Sequence, residues 1–254
     1  MAATTIAVLN QKGGVGKTTT VINTAAYFAK KGKRVLVVDS DPQGNATSGL
    51  AIDKRQLSQS LYEMLVDPSA SITDAIVSSK MENLDVLPAN ETLAAAEVDL
   101  VQTLEREKQL SRVLDNVSYD AALIDCPPSL GLLTINALTA ADYVVIPVQA
   151  EYYALEGLGQ LLDIVQRVRS GLNPRLELLG VVITMHDKRT MLSGQVKQEL
   201  VKHFGDKLLR TEIPRNIRLA EAPSYGVSIF EHDKWSKGAR AYKLVAEDLM
   251  GRLS

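Results

Sequence analysis

The sequence comprises 254 residues, of which 46% are hydrophobic and 23% are charged. These proportions are ordinary for a soluble globular protein with a full hydrophobic core. The formal net charge of −2 argues against a protein dedicated wholly to nucleic acid. Cys126 is the single cysteine, which excludes an intrachain disulfide and a Cys-x-x-Cys metal site and favours a reducing cytoplasm. There is no charged leader before an apolar core and no apolar run near about 18 residues, so neither export nor a membrane span is indicated.

Short β-branched runs alternate with longer helical segments along the chain. This alternation predicts an α/β fold with a mostly parallel, twisted sheet flanked by helices on both faces. The predicted strands are Thr5–Leu9, Val35–Asp39, Leu84–Leu87, Ala121–Asp125, Tyr143–Val148, Leu178–Thr184 and Leu208–Ile213. The predicted helices include Thr18–Lys31, Thr92–Leu114, Tyr153–Arg169 and Met191–Phe204. We find no internal repeat or low-complexity linker, so we expect one domain over residues 1–254.

A glycine-rich stretch, Asn10–Thr20, follows the first predicted strand and opens the first predicted helix. Strand, glycine turn and helix form the setting of a phosphate-binding loop, because backbone N–H groups and the helix dipole converge on an anion. We expect Lys17 to reach the β- and γ-phosphates of ATP or ADP, Thr18 to coordinate Mg²⁺, and Thr19 to meet the α-phosphate. The predicted phosphate contacts are Gln11, Lys12, Gly13, Gly14, Val15, Gly16, Lys17, Thr18 and Thr19.

This loop departs from the usual pattern at its beginning. Gln11 occupies the position five residues before Gly16, where a glycine is usual, and Lys12 adds a second lysine. Two interpretations of Lys12 remain open from the residues alone: its side chain faces water, or it helps to neutralise phosphate charge.

Two further predicted strands end in aspartate. Asp39 ends the second strand and Asp41 follows in the loop, where a carboxylate can position an attacking water. Asp39 could equally cap the turn before Pro42. Asp125 ends a buried strand, and beside a phosphate loop such a carboxylate is expected to hold Mg²⁺, often through water. We therefore predict Lys17, Asp41 and Asp125 as catalytic residues, and Thr18 and Asp125 as the metal ligands.

Two late strand ends could frame the nucleotide base. Met185 follows one strand, and Pro214 and Asn216 follow the next. Because strand ends converge on one edge of the sheet, Pro214 could pack on adenine and Asn216 could hydrogen-bond to it.

Several of these motifs together resemble the ParA/MinD family of deviant Walker-A ATPases, especially its chromosomal Soj-type ParA branch. The stretches that carry the resemblance are Lys12–Thr19, Asp39–Asn45, Asp125–Gly131, Glu151–Gly157, Pro214–Pro223 and Gly238–Ala239. The resemblance implies ATP-dependent homodimerisation, with Lys12 crossing to the partner's nucleotide and so acting as a further catalytic residue. It also implies a weak ATPase that a ParB/Spo0J-type centromere-binding protein stimulates, an adenine pocket in the late loop, and a cytoplasmic, nucleoid-associated protein.

The resemblance also implies that the ATP-bound dimer binds double-stranded DNA without sequence preference. Residues 167–218 contain 11 basic and 5 acidic residues (a balance of +6), whereas residues 51–115 contain 6 basic and 12 acidic residues (−6). We predict DNA contacts at Arg189 and Arg218, with Lys188 and Arg215 beside them; the alternative is that these side chains only face solvent. Two arginines from each subunit would neutralise about four phosphates and give a log–log salt slope of about −3.6.

Two alternatives share the nucleotide chemistry. A MinD-like switch at a membrane surface needs a basic amphipathic C-terminal anchor. The tail Tyr242–Ser254 contains Glu247 and Asp248 and predicts a packed helix instead, so no membrane partner is expected. A nucleotide-gated scaffold that binds proteins but not DNA remains open.

Overall fold

The computed structural model describes residues 3–115, 117–151, 154–187 and 189–253. Its centre is a seven-stranded sheet in the order β3-β4-β2-β5-β1-β6-β7, in which β3 is antiparallel and the other neighbours are parallel. The strands are β1 Thr4–Val8, β2 Val35–Asp39, β3 Val77–Ser78, β4 Leu84–Leu87, β5 Ala121–Asp125, β6 Tyr143–Gln149 and β7 Glu177–Thr184. The predicted α/β class with a mostly parallel sheet is confirmed.

Helices cover both faces of this sheet. They are α1 Lys17–Lys30, α2 Asn45–Gly49, α3 Leu61–Val66, α4 Ile72–Ala75, α5 Ala96–Asp99, α6 Gln109–Leu114, α7 Leu132–Ala140, α8 Ala154–Gly171, α9 Met191–Phe204, α10 Ile217–Glu221, α11 Ile229–His232 and α12 Lys237–Arg252. Short 3₁₀ turns occupy Lys54–Gln56, Glu91–Ala95, Leu100–Gln102, Arg106–Lys108, Gly205–Lys207 and Ala222–Tyr225.

The central strands read as continuous apolar runs because both of their faces are buried. In β2, Val35 and Val37 join the core that α1 and α12 cover, whereas Leu36 and Val38 join the opposite core, which includes residues of α3, α7 and α8. Successive strand residues point to opposite faces, so one five-residue strand supplies both cores. The carboxyl ends of the parallel strands then meet at one edge, where the loops that follow β1, β2 and β5 lie.

The predicted strand Leu208–Ile213 is wrong. This segment forms only an isolated bridge between Leu208 and Val181, and Leu209 N and Ile213 N donate to Val181 O and Ile183 O, each at 2.8 Å. Four residues along this segment therefore span two along β7. The two additional residues prevent this segment from pairing regularly with β7.

The predicted helix Thr92–Leu114 is also wrong as one element. The segment is divided into 3₁₀ turns and the short helices α5 and α6, and Glu105 has a left-handed backbone with φ 52°. Leu100 and Leu110, on either side of this break, are both buried in the same core.

The other predicted elements are confirmed with shifts of one or two residues, apart from the start of α8, because Tyr153 lies outside the described residues. The tail forms α12, whose Tyr242, Val245 and Leu249 are buried against the sheet. Among the described residues, no helix combines the length and the apolar character that a membrane crossing needs.

Candidate active site

The glycine-rich loop connects the end of β1 to the start of α1. Gly14 and Gly16 have φ angles of 74° and 90°, in the left-handed region that glycine adopts at low cost. Gly16 is the N-cap of α1, which begins at Lys17. The loop is also held by the edge strand β7, because Thr184 Oγ1 at the end of that strand donates a 2.7 Å hydrogen bond to Val15 O. The backbone therefore presents a fixed concave turn at the positive end of a 14-residue helix.

Three side chains converge beside this loop. Thr18 Oγ1 donates to Asp125 Oδ2 at 2.7 Å, and Lys17 Nζ donates to Lys12 O at 3.3 Å. β1 and β5 are neighbours in register, with Val8 opposite Asp125, which places the carboxylate next to the loop. Asp125 is fully buried, and its Oδ1 accepts no hydrogen bond from the described residues. The partly buried Thr18 hydroxyl and a free carboxylate oxygen suit the hard oxygen coordination of Mg²⁺.

The same burial perturbs the charges of this cluster. Burial, followed by the neighbouring charge of Asp39, raises the pKa of Asp125 well above its usual range. Burial lowers the pKa of Lys17, although the charges of Asp125 and Asp41 oppose that change. Burial and the charge of Asp125 also raise the pKa of the buried Cys126 thiol, so this cysteine is not a reactive thiolate. These groups are costly to ionise without a counter-charge, which is typical of a binding site.

Asp39 and Asp41 have different surroundings. Asp39 Oδ2 accepts from Thr47 N at 2.8 Å and from Thr47 Oγ1 at 2.7 Å, and its Oδ1 accepts from Asp41 N at 3.3 Å. Burial raises the pKa of Asp39 to about 6 despite these bonds. The Asp41 carboxylate accepts a hydrogen bond from Gln43 N of its own loop, at 2.9 Å. Asp39 therefore holds the loop in shape, which matches the capping interpretation, whereas the role of Asp41 in positioning water stays a prediction.

The Lys12 side chain is held by a residue outside the phosphate loop. Its Nζ forms an ion pair with Glu151, which follows β6, and both side chains are 45% exposed. The backbone at Lys12 is fixed by Asn10, whose Oδ1 accepts from Lys12 N at 3.0 Å and whose Nδ2 donates to Pro147 O at 2.7 Å. The ammonium is thus displayed at the surface from a rigid base.

The two late loops meet at the same edge. His186 N donates to Ile213 O at 2.9 Å, so Met185 and Pro214 lie on adjacent segments, and the neighbouring Thr184 contacts the phosphate loop. Asn216 caps α10, with its Oδ1 accepting from Arg218 N at 2.9 Å. The structure brings together the residues predicted to surround a base; their contact with adenine stays a prediction.

Comparison with known proteins agrees with this geometry. A family model described as an AAA domain matches residues 3–178. The sporulation initiation inhibitor protein Soj of Bacillus subtilis is 56% identical over 246 residues, which cover 96% of this chain and 97% of that protein. The chromosome-partitioning ATPase Soj of Thermus thermophilus is 51% identical over 249 residues, which cover 98% of this chain and 96% of that protein. The chain belongs to the ParA/MinD family of P-loop ATPases.

Solved structures extend the agreement to the nucleotide. Cobyrinic acid a,c-diamide synthase from Mycobacterium smegmatis, with bound ADP and magnesium, superposes with a TM-score of 0.87 at 38% identity, covering 100% of this chain and 96% of that chain. The cofactors predicted here, ATP or ADP with Mg²⁺, agree with the ligands of that relative.

The arginines predicted to contact DNA are exposed but not free. Arg189 forms a two-pronged pair with Asp187, with Nε–Oδ1 at 2.9 Å and Nη2–Oδ2 at 2.7 Å. Arg218 pairs with Glu221 at 2.8 Å and lies 3.7 Å from Asp233. Arg215 is exposed, and Lys188 lies outside the described residues. A phosphate that bound Arg189 or Arg218 would therefore have to displace these acidic side chains.

Sequence reasoning gave no site role to Thr47, Thr184 and Glu151. Thr47 supports Asp39, Thr184 supports the phosphate loop, and Glu151 holds Lys12. Glu151 lies in Glu151–Gly157, one of the stretches that carry the family resemblance, so the sequence did mark this position as a candidate. The two threonines act through contacts between distant segments, for which a single sequence has no signal.

Proposed function

We propose that this protein is a DNA-partitioning switch: an ATPase whose ATP-bound form is a homodimer that binds duplex DNA without sequence preference. Its hydrolysis is slow alone and is stimulated by a partner of the ParB/Spo0J type. The observation that carries the proposal is the convergence of Lys17, Thr18 and Asp125 beside a loop that displays a second lysine, Lys12. The names of the partitioning relatives support it, at 51–56% identity over nearly the whole chain. We place the activity in one domain over residues 1–254, in a nucleoid-associated protein of the cytoplasm.

Different residues bind the phosphates, hold the metal and orient the attacking water in phosphoryl transfer. Backbone N–H groups of the loop and the Lys17 ammonium bind the phosphates and place the terminal phosphorus for attack. Thr18 and Asp125 hold the metal, the latter directly or through water. Bound Mg²⁺ supplies positive charge that stabilises the phosphate oxygens. Asp41 orients the attacking water from its loop, and Asp39 keeps that loop in place through Thr47.

Lys12 supplies the link between nucleotide and dimer. A lysine held by a surface glutamate of its own chain can exchange that exposed pair for a denser negative charge at small cost. A triphosphate held by the partner subunit offers that charge. Each subunit would then contribute a cation to the other's nucleotide, and a cation supplied in trans can be worth about 10³–10⁵ in rate.

Dimerisation and DNA binding across nucleotide states test this function together. Sedimentation should show a monomer without nucleotide or with ADP, and a dimer with a non-hydrolysable ATP analogue and Mg²⁺. A mobility shift of non-specific duplex should appear only in the dimeric state. Lys12→Ala should remain monomeric with the analogue, whereas Lys33→Ala, an exposed lysine just before β2, should dimerise normally.

Three results would count against the proposal. A wild-type protein that stays monomeric with analogue and Mg²⁺ would refute the switch. Dimers that bind no duplex would favour the protein scaffold, and co-sedimentation with anionic vesicles would favour a MinD-like role. Unchanged dimerisation and turnover in Lys12→Ala would remove Lys12 from the mechanism.

A further inference from the structure

Glu97 of α5 contacts the loop that follows β5, at a point away from the cluster of Lys17, Thr18 and Asp125. A Cβ placed on Gly131 of that loop would overlap Glu97 Oε1 and would lie 2.9 Å from Glu97 Cδ. Gly131 has an extended backbone with φ −79°, which any residue adopts, so its conformation does not require glycine. The glycine instead leaves open the space that the Glu97 carboxylate occupies.

The contact lies at the positive end of a helix. Gly131 is the N-cap of α7, and the first turn of α7 contains no acidic residue of its own. Negative charge near a helix N-terminus is favourable, because it faces the unpaired N–H groups and the positive end of the dipole. Glu97 Oε1 is buried and accepts no hydrogen bond from the described residues. Packing against Gly131 and the field of α7 therefore hold the carboxylate in place.

The element that carries Glu97 is fixed independently of the loop. Ala96 and Leu100, on either side of Glu97, are buried in the core that residues of α7 also enter. Asp99 Oδ2 accepts a 2.8 Å hydrogen bond from Tyr62 Oη, which ties the end of α5 to α3. The glutamate thus projects from a packed segment, and the loop is the part that it holds.

The loop connects this contact to the candidate metal ligand. Gly131 is the sixth residue after Asp125, which ends β5. Pro127 and Pro128 restrict the backbone between them, because the proline ring fixes φ. Thr134 Oγ1 of α7 donates a 2.7 Å hydrogen bond to Ser129 O, so the loop is also attached to the first turn of the helix. A displacement of Gly131 is therefore passed along a short, stiff segment towards Asp125.

We propose that Glu97 is a positioning residue for ATP hydrolysis: its carboxylate holds Gly131 against α5 and thereby keeps Asp125 in the place that the metal requires. The inference rests on the proposed function, in which Asp125 holds Mg²⁺. Glu97 acts through the loop and not on the nucleotide. Because β5 is paired on both sides within the sheet, the start of the loop is fixed, and loss of the Glu97 contact frees its far end without opening the core.

Two substitutions break the contact from opposite sides. Glu97→Ala removes the carboxylate, whereas Gly131→Ala displaces it, because the new methyl group takes its space and the end of the glutamate side chain rotates away. The first readout is amide hydrogen exchange of the nucleotide-free protein. The N–H of Ile135 donates to Gly131 O at 3.1 Å, and its exchange should become about tenfold faster in each variant. The second readout is ATP turnover against Mg²⁺ concentration, where we expect an about tenfold lower rate and a higher half-maximal Mg²⁺ concentration.

Matched variants separate this contact from general damage. The double variant Glu97→Ala/Gly131→Ala should be no worse than either single variant, because both substitutions remove the same contact. Glu91→Ala removes an exposed carboxylate from the turn that precedes α5, and Gly251→Ala adds a methyl group where no atom lies within 4 Å. Both controls should match wild type in exchange and turnover. Thermal melting follows the stability of every variant.

The outcomes separate this inference from the proposed function. Faster exchange and slower turnover in both single variants, with a non-additive double variant and unchanged controls, support the role of Glu97. Losses that multiply in the double variant overturn the shared contact. Unchanged exchange and Mg²⁺ dependence, or a lower melting temperature that accounts for the lost turnover, overturn the positioning role. A wild-type protein that does not hydrolyse ATP overturns the proposed function and this inference with it, whereas normal wild-type turnover with unaffected variants overturns this inference alone.

Discussion

The phosphate-loop edge and the basic groove lined by Arg189, Lys197, Arg210, Arg215, Lys237 and Arg240 use the same kinds of charged groups in opposite environments. At the loop, Asp125 is fully buried and Lys17 is only 7% exposed, and burial shifts the pKa of both against ionisation. In the groove, Arg210, Arg215, Lys237 and Arg240 are exposed to water. The two regions share α12, whose opposite face carries Tyr242, with its hydroxyl 3.1 Å from Thr20 Oγ1 of α1.

The two environments differ in how strongly one charged residue can affect binding and catalysis. A charge pair at 4 Å is worth about 1 kcal/mol in water and several times more where water is excluded. A single substitution at the loop should therefore remove function. In the groove each contact is screened and contributes a small, nearly additive share. Substitutions in the two regions test this contrast.

The largest effect is expected from Lys17→Ala. It removes a buried cation from the phosphates, and we expect ATP turnover to fall by at least about 10³-fold. Lys30→Ala, on the same helix but exposed, is the matched control and should be within about twofold of wild type in a steady-state phosphate-release assay. A loss of less than tenfold in Lys17→Ala would show that the loop region is not the sensitive one.

Asp125→Asn should separate function from stability. We expect turnover to fall by about 10² and a higher Mg²⁺ concentration to be needed for half-maximal nucleotide binding. The nucleotide-free protein should gain about 1–2 kcal/mol in its free energy of unfolding, because a buried, under-compensated carboxylate becomes neutral. Chemical denaturation measures this gain. Asp120→Asn, just before β5 and paired with Arg34, is the control, and an equal gain there would contradict the explanation.

The smallest effect is expected from Arg218→Glu. Arg218 lies outside the groove lining and is already paired with Glu221, so the change should weaken duplex binding by about tenfold at 50 mM salt. Dimerisation with an ATP analogue should persist, as followed by light scattering. A loss of dimer would mean that Arg218 is structural. A complete loss of DNA binding, with the dimer intact, would make Arg218 the main phosphate contact.

The local signals of the chain determined the fold class and the position of the phosphate loop. Glycines before Lys17, and aspartates at the ends of apolar runs, are constraints between neighbouring residues, so the sequence displays them directly. Parallel pairing then brings Asp39 and Asp125 side by side, as expected from their places at strand ends. The membership of a known ATPase family was also readable, because its motifs are short and contiguous.

Tertiary structure alone decided the features that depend on distant segments. The predicted helix is broken at Glu105, while Leu100 and Leu110 on either side share one core, and after Leu208 four residues span two of β7. Arg210 of that segment lines one groove with Lys237 and Arg240, which are distant in sequence. Local propensity could not reveal these outcomes, since burial and backbone pairing across the sheet outweigh the small preferences of individual residues.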